Sequence, residues 1–343
     1  MKVGVYYSNS DVRVEQLPVP QIGPGEFLLR VEASGICGSD VLEWYRKKTA
    51  PRVLGHEVAG TVERVGPDVS GIYEGDRVFV SHHVPCNSCK YCLAGQHTAC
   101  ETLHSTNFDP GGFAQFVRVP QLQADRGTFK LPDGMSCEQA VFIEPLACVL
   151  RAQRLCRIGP GRSILVLGAG VSGLLHLLLA RARGAGPVAA VDPDAKRRDA
   201  AIRFGANAAV EPVGDLAESL ADTCGTAKFD TVVVCTGALS AFEAAFRLVD
   251  RAGVVCAFAT PSPGQAVQLE LSRFWRSGLS LVTSYAAAPS DLAEALSLID
   301  SGIIPVDGLI THRLPLDRIQ EGFQLVCKGG EALKVIILPQ AAE

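Results

Sequence analysis

Residues 163–173 read SILVLGAGVSG, and the fold turns on this stretch. Ile164-Leu165-Val166-Leu167 is an unbroken apolar run, the pattern of a strand covered on both faces. Gly168-Ala169-Gly170-Val171-Ser172-Gly173 is a GxGxxG, and SGLLHLLLARARG, which begins within it (172–184), predicts a helix. A glycine turn between a buried strand and a helix start suits a dinucleotide. Gly168 permits the tight turn, Gly170 lets the backbone approach a pyrophosphate, and Gly173 lets helix and strand pack closely. The helix N-terminus offers free N–H groups and a partial positive charge to the phosphates. Glycine turns that bind nothing also occur in a chain with 34 glycines; the flanking strand and helix separate this one from them. Asp192 ends the next strand, close to the distance from the glycine turn at which a ribose-binding carboxylate stands. A carboxylate there accepts both hydroxyls of an adenosine ribose and repels a 2′-phosphate, which favours NAD over NADP. Arg197, further along the chain, either softens that preference or is a solvated helix residue.

Working outward, the same alternation continues. Strand PVAAVDPD (187–194) is followed by helix AKRRDAAIRFGA (195–206), strand AAVEP (208–212) and helix LAESLADTC (216–224). Strand FDTVVVCTG (229–237), helix SAFEAAFRLV (240–249) and strand GVVCAFAT (253–260) come next, and then a βα-like segment reaching Tyr285. Repeated βα units predict a doubly wound parallel sheet in an α/β protein. The N-terminal part differs: VGVYY (3–7), FLLRVEASG (27–35), EVAGTVERVG (57–66), DRVFVSHH (76–83) and AQFVRVP (114–120) are short strands punctuated by Gly and Pro. Residues 138–156 look helical apart from Pro145. After Ala286 a helix (291–302) and two strands (309–316, 333–339) return to the first style. The expected organisation is therefore a β-rich domain built from both chain ends, 1–147 and 286–343, with a nucleotide-binding domain, 148–285, inserted between.

Composition narrows the partners. A chain of 343 residues, 48% hydrophobic and 20% charged, is ordinary for a soluble protein of two domains. A net charge of −4 gives no electrostatic reason to expect nucleic acid or an anionic membrane. Residues 1–16 hold no apolar signal core, and no apolar run is long enough to span a bilayer. A cytoplasmic protein acting on a small polar molecule is expected.

Cysteine usage points to metal rather than disulfides. Of 12 cysteines, Cys86, Cys89, Cys92 and Cys100 follow one another closely as C-x2-C-x2-C-x7-C, and four thiolates so spaced close a tetrahedral shell around Zn²⁺. A closed shell leaves no position for substrate, so this zinc is expected to be structural, stapling a lobe at about 84–104. An iron–sulfur cluster uses four cysteines too, but nothing else in the chain suggests electron transfer. Seven others (Cys137, Cys148, Cys156, Cys224, Cys235, Cys256, Cys327) are scattered among apolar residues and read as buried free thiols.

A second set of ligand types is dispersed: Cys37 in Gly35-Ile36-Cys37-Gly38-Ser39-Asp40, His56 and Glu57 after Gly55, and Glu144 before Pro145. One thiolate, one imidazole and one or two carboxylates form a set that zinc accepts with room for an exchangeable ligand. Asp40 is suited to orient the histidine. Spacing alone does not join these segments. Together, though, Cys-Gly-Ser-Asp, Gly-His-Glu, the four-cysteine lobe, Glu-Pro and GxGxxG with its distal Asp resemble, in chain order, the zinc-containing medium-chain dehydrogenases. The similarity runs over essentially the whole chain, and the polyol and threonine dehydrogenase branch is the nearest in style.

That resemblance implies a GroES-like catalytic domain and a Rossmann domain, NAD, and two zinc ions per chain. Cys37, His56 and Glu57 or Glu144 would hold the catalytic zinc, and Ser39 would take the proton from the substrate hydroxyl. Relatives carry a histidine a little after this cysteine as the outer end of a proton relay; here Leu42 stands there. His82 and His83 are candidates to face the substrate, His83 matching a threonine dehydrogenase position. Glu43 would line the pocket mouth and bind hydroxyls or an amine, and Lys334 would meet the pyrophosphate. The implied activity is NAD-linked oxidation of a polar secondary alcohol (a polyol, sugar alcohol or cyclitol) to a ketone by a homo-oligomer, a tetramer or dimer. The alternatives are threonine 3-dehydrogenase-like oxidation of a hydroxy amino acid and a non-catalytic nucleotide-binding protein on the same fold.

Overall fold

The computed structural model describes residues 1–342 of the chain. They form two compact units, Met1–Ala147 with Ala286–Glu343, and Cys148–Tyr285. Among the described residues no helix is long and apolar enough to cross a membrane.

The inserted unit is a six-stranded parallel sheet. Its order is Ala208–Val210, Val188–Val191, Ile164–Leu167, Phe229–Val234, Val249–Ala257, Ser280–Thr283. The chain leaves Ile164–Leu167 in one direction and then returns to its other side, so the strand order reverses there. Ligands of doubly wound sheets bind at such a reversal, beyond the carboxyl ends of the strands. Ile164–Leu167 is buried throughout, and the helix after it spans Val171–Ala182 with Gly170 as its N-cap. The three glycines divide the work as their spacing predicts. Gly168 has φ +100°. A Cβ on Gly173 would lie 2.0 Å from the Gly168 carbonyl oxygen, whereas one on Gly170 would meet nothing within 4 Å.

His176 on this helix is fully buried. Its ring packs edge-on to Phe258, with centroids 4.8 Å apart, and Nε2 has no hydrogen-bond partner. Burial, and secondarily the charge of Arg183, pushes its pKa from 6.5 down to about 3. The unfolded chain therefore binds a proton that the folded chain refuses. His176 adds no penalty above pH 6.5, and stability falls as pH drops from there toward 3, by about 1.4 kcal/mol per unit at most. In urea unfolding between about pH 6.5 and 5, a His176→Leu variant is expected to lose that part of the slope; equal slopes for both proteins would refute it.

The other unit holds a seven-stranded sheet centred on Phe27–Gly35. That strand pairs antiparallel with Glu57–Val65, Lys334–Leu338 and Phe116–Val119, and Glu57–Val65 pairs with Arg77–Ser81. Register decides the rest. Gly35 lies opposite Glu57 and Ile336, and Glu57 opposite Ser81. Residues just past these pairs, Cys37, His56 and His82, therefore leave the sheet at one end.

Local expectations differ from the structure in three places. Glu43–Arg46, Lys90–Leu93, Glu101–Ser105 and Gln121–Arg126 are helices in a region that reads as strands and loops. They are too short to show a helical apolar period. The helix expected over 138–156 is two, Cys137–Ala140 and Ile143–Leu155. Pro145 falls in the first turn of the second, where a missing N–H loses no intrahelical bond. A helix the pattern reading passes over, Ile319–Lys328, buries Ile319, Gly322 and Phe323, the i, i+3, i+4 spacing of an apolar face.

Candidate active site

All twelve cysteines are free thiols. Of the seven expected to be buried, Cys137, Cys156 and Cys256 are; Cys148, Cys224 and Cys235 are half-buried and Cys327 is exposed. Cys86, Cys89, Cys92 and Cys100 converge, with all four sulfurs within 4.8 Å of one another. The Cys89–Cys92 and Cys86–Cys100 sulfurs are 3.6 Å apart, and Cys86–Cys92 4.0 Å. Zn–S bonds of ≈ 2.3 Å in a tetrahedron require about 3.8 Å. The backbone N–H groups of Ser88 and Cys89 point at the Cys86 sulfur, at 3.4 and 3.2 Å, and hold its pKa down to about 5. The geometry and the donors fit zinc. Among the described residues only Leu103 adds a buried apolar side chain around the sulfurs, so the lobe has little core of its own.

The second group forms at the sheet end described above. Cys37 caps the single turn Gly38–Val41; its sulfur accepts the Ser39 N–H at 3.5 Å, and its own N–H donates to Asp40 Oδ2 at 3.1 Å. Cys37, His56 and Glu57 bring their ligand atoms within 4.8 Å of one another. Asp40 is fully buried, with Oδ1 3.4 Å from His56 Nδ1, which leaves Nε2 for a metal. Burial opposes a charge on His56, but Asp40 and the Cys37 sulfur outweigh it and hold its pKa well above the ordinary value. Burial likewise opposes the Asp40 carboxylate, and His56, Arg46 and the Cys37 N–H overcome it, so its pKa is lowered. The pocket thus favours a cation between these groups, and its donor set fits zinc.

Glu57 enters this cluster, whereas Glu144 lies outside it, in the first turn of Ile143–Leu155. Glu57 is fully buried, and Oε2 accepts a hydrogen bond from Lys334 Nζ at 2.5 Å. Oε1 has no partner. Gly35 makes room for this carboxylate: a Cβ there would lie 2.0 Å from Oε2. Lys334, expected on a pyrophosphate, is 2% exposed and occupied by Glu57; the strand pairing beside Gly35 turns it into the protein.

His82 and His83 stack next to the cluster, with ring centroids 4.9 Å between His56 and His82 and 3.8 Å between His82 and His83. Burial, and then neighbouring positive groups, drives both pKa values down, His83 to about 3. The His82 ring lies against that of His56. Glu43 is exposed and accepts a 3.4 Å hydrogen bond from the Asn9 N–H, so its carboxylate is not turned to Ser39. Arg46 is, and the sequence reading missed it. Nη2 donates to Ser39 Oγ at 3.0 Å and to Asp40 Oδ1 at 3.2 Å. Its place in the basic run Arg46-Lys47-Lys48 hides it among solvated cations.

In the inserted unit, a cavity of about 470 Å³ is lined by Gly168, Gly170, Asp192, Arg197, Thr236 and Arg247 among others. Asp192 is 2% exposed. Oδ2 accepts the Ala169 N–H at 2.8 Å and Oδ1 the Asp194 N–H at 2.9 Å. The carboxylate is thereby held rigidly at the cavity wall. Gly170, where a Cβ would meet open space, leaves the phosphate approach clear, and the site fits a dinucleotide.

Comparison with known proteins agrees in both units. Residues 23–133 match the alcohol dehydrogenase GroES-like domain and residues 172–301 the zinc-binding dehydrogenase domain. Sorbitol dehydrogenase of Bombyx mori is 33% identical, over 97% of each chain. The crystal structure of 2R,3R-butanediol dehydrogenase from Bacillus subtilis is 26% identical, covers 99% of both chains and has a TM-score of 0.86. Galactitol-1-phosphate dehydrogenase from Escherichia coli is 25% identical, with 99% of this chain and 100% of the other covered and a TM-score of 0.85. Such agreement along the full length, with the metal ligand types and the dinucleotide turn in their places, makes the chain a member of the zinc-dependent medium-chain alcohol dehydrogenase family, an oxidoreductase linked to a nicotinamide cofactor.

Proposed function

We propose that the protein oxidises a secondary alcohol of a polyol, sugar alcohol or cyclitol to the ketone, passing the hydride to NAD. The observation that carries the reading is the cluster of Cys37, His56 and Glu57 with Ser39 beside it, in a chain whose relatives include sorbitol and butanediol dehydrogenases. Zinc, when bound, supplies a Lewis acid that lowers the pKa of a substrate hydroxyl, and NAD accepts the hydride. The chain's own residues do the rest. Cys37 and His56 would hold the metal, with Glu57 or Glu144 as the carboxylate. Asp40 fixes the His56 ring, and Ser39 Oγ accepts the hydroxyl proton. Asp192 selects the unphosphorylated ribose.

The test is reduced-nicotinamide absorbance with zinc-replete protein, NAD or NADP, and a panel of sugar alcohols, cyclitols, aminocyclitols, L-threonine and simple secondary alcohols. NAD-dependent turnover of the polyol class is expected. Turnover of L-threonine alone, or of nothing with both zinc sites filled, would overturn the reading.

We also propose a cytoplasmic homo-oligomer. Support comes from Ser280–Thr283, the last strand of its sheet, and from the apolar residues exposed on the helix before it, Leu271–Ser277, with Trp275 at 86% and Leu271 at 72% exposed. Light scattering is expected to give a dimer or tetramer, and Trp275→Glu to reduce it; a monomeric wild type would refute the idea.

A further inference from the structure

Every hydrogen bond recorded for the Arg46 guanidinium returns to one turn, residues 37–40. Nε donates to the Ser39 carbonyl at 2.9 Å, and Nη2 to Ser39 Oγ at 3.0 Å and Asp40 Oδ1 at 3.2 Å. That same Asp40 oxygen faces His56 Nδ1 at 3.4 Å. The Arg46 side chain is only 16% exposed and Asp40 is fully buried, while the adjacent Lys47 and Lys48 are exposed. One planar fork therefore spans the group that is to accept the proton and the carboxylate that sets the histidine. Only arginine has the fixed donor geometry for this.

We propose that Arg46 is a positioning residue for alcohol oxidation: it locks the Ser39 hydroxyl in one orientation and, through the shared Asp40 oxygen, fixes the His56 ring. This rests on the proposed function above. A hydroxyl has one donor and two lone pairs. Arg46 occupies one lone pair, so Ser39 meets the substrate with the other and points its own proton away from the guanidinium. In the reaction the substrate O–H bond breaks and a new Oγ–H bond forms. The original Oγ–H proton leaves, and the carbinol hydrogen departs with its electron pair to NAD. Arg46 stays protonated and has no acceptor site, so it does not substitute for the relay histidine missing at Leu42. The departing proton goes to water.

The experiment compares Arg46→Met and Arg46→Lys, in wild-type and Ser39→Ala backgrounds, as zinc-replete enzyme with NAD and the best panel alcohol. Arg46→Met is expected to lower kcat by about 10- to 100-fold with KM changed less than about threefold, as for loss of part of a proton-transfer device. In the Ser39→Ala background the same change is expected to cost less than about twofold, because residues acting through one another are not additive. Lysine, which keeps the charge and loses the fork, should not restore kcat. A second arm measures zinc transfer to a chromogenic chelator. The zinc held by Cys37 and His56 is expected to leave about five- to tenfold faster in Arg46→Met, and at the wild-type rate in Lys47→Met. Full additivity with Ser39→Ala, or a kcat within about twofold of wild type, overturns the proposal. If the wild type oxidises no alcohol on the panel, the substrate reading is what fails. The chelator arm then decides alone, and unchanged zinc release in Arg46→Met overturns the positioning role.

Discussion

Cys37→Ala is expected to lower zinc from two ions per chain to one and to reduce kcat by at least about a thousandfold. The donor set is the reason. Cys37 is the one sulfur among the three converging ligand atoms, and it accepts the Ser39 N–H. Without it a cation is left with an imidazole and a carboxylate already engaged by Lys334, a poor set for zinc. A catalytic metal contributes several kcal/mol to the transition state, and each ~1.4 kcal/mol is a factor of ten in rate. The four-cysteine lobe shares no ligand with this site, so its zinc should stay. Elemental analysis and steady-state kinetics on the same preparation check both halves. Retention of two zinc ions with kcat within about tenfold of wild type would remove Cys37 from the ligand set. The reciprocal change, Cys86→Ala, should remove the other ion and expose the lobe to protease.

Lys334→Met is expected to destabilise the protein by about 3–5 kcal/mol, the usual cost of leaving one member of a buried ion pair without its partner. Glu57 is fully buried and Lys334 is 2% exposed. The ammonium, paired at 2.5 Å, is the cation that neutralises Glu57 in the described structure. Burial works against the charge on Lys334, but Glu57 overcomes it and raises its pKa, so the ammonium stays charged at neutral pH. The double change Glu57→Gln with Lys334→Met leaves no uncompensated charge and should recover more than half of the loss. Urea unfolding of the two single variants and the double variant measures the coupling directly. A Lys334→Met protein within about 1 kcal/mol of wild type would show that Glu57 finds another cation, the catalytic metal being the nearest candidate.

Much of this protein is legible before any coordinates. SILVLGAG followed by an apolar helix is a local pattern, in which strand, turn and helix are each specified by neighbouring residues. Gly168, Gly170 and Gly173 are needed for reasons of backbone and space that act over the same short range. The four-cysteine lobe is legible for the same reason, since its ligands all lie in the one stretch 86–100 and the metal itself supplies the fold. The dispersed cluster is different. Cys37, His56 and Lys334 come from distant parts of the chain, and only strand register, Gly35 opposite Glu57 and Ile336, brings them together. Ligand types and family resemblance named the candidates; they did not show that Glu57 would join Cys37 and His56 while Glu144 stayed outside, or that Lys334 would turn inward.

Side-chain direction was the least accessible quantity. Glu43 and Arg46 share one short helix, and nothing in EWYR says that the carboxylate reaches Asn9 while the guanidinium reaches Ser39 and Asp40. Short-range periodicity and chain chemistry thus determined the fold class, the dinucleotide turn and the zinc lobe. Which charges face the reacting groups was decided by tertiary structure, because a buried charge takes whatever partner the packing brings within hydrogen-bond reach.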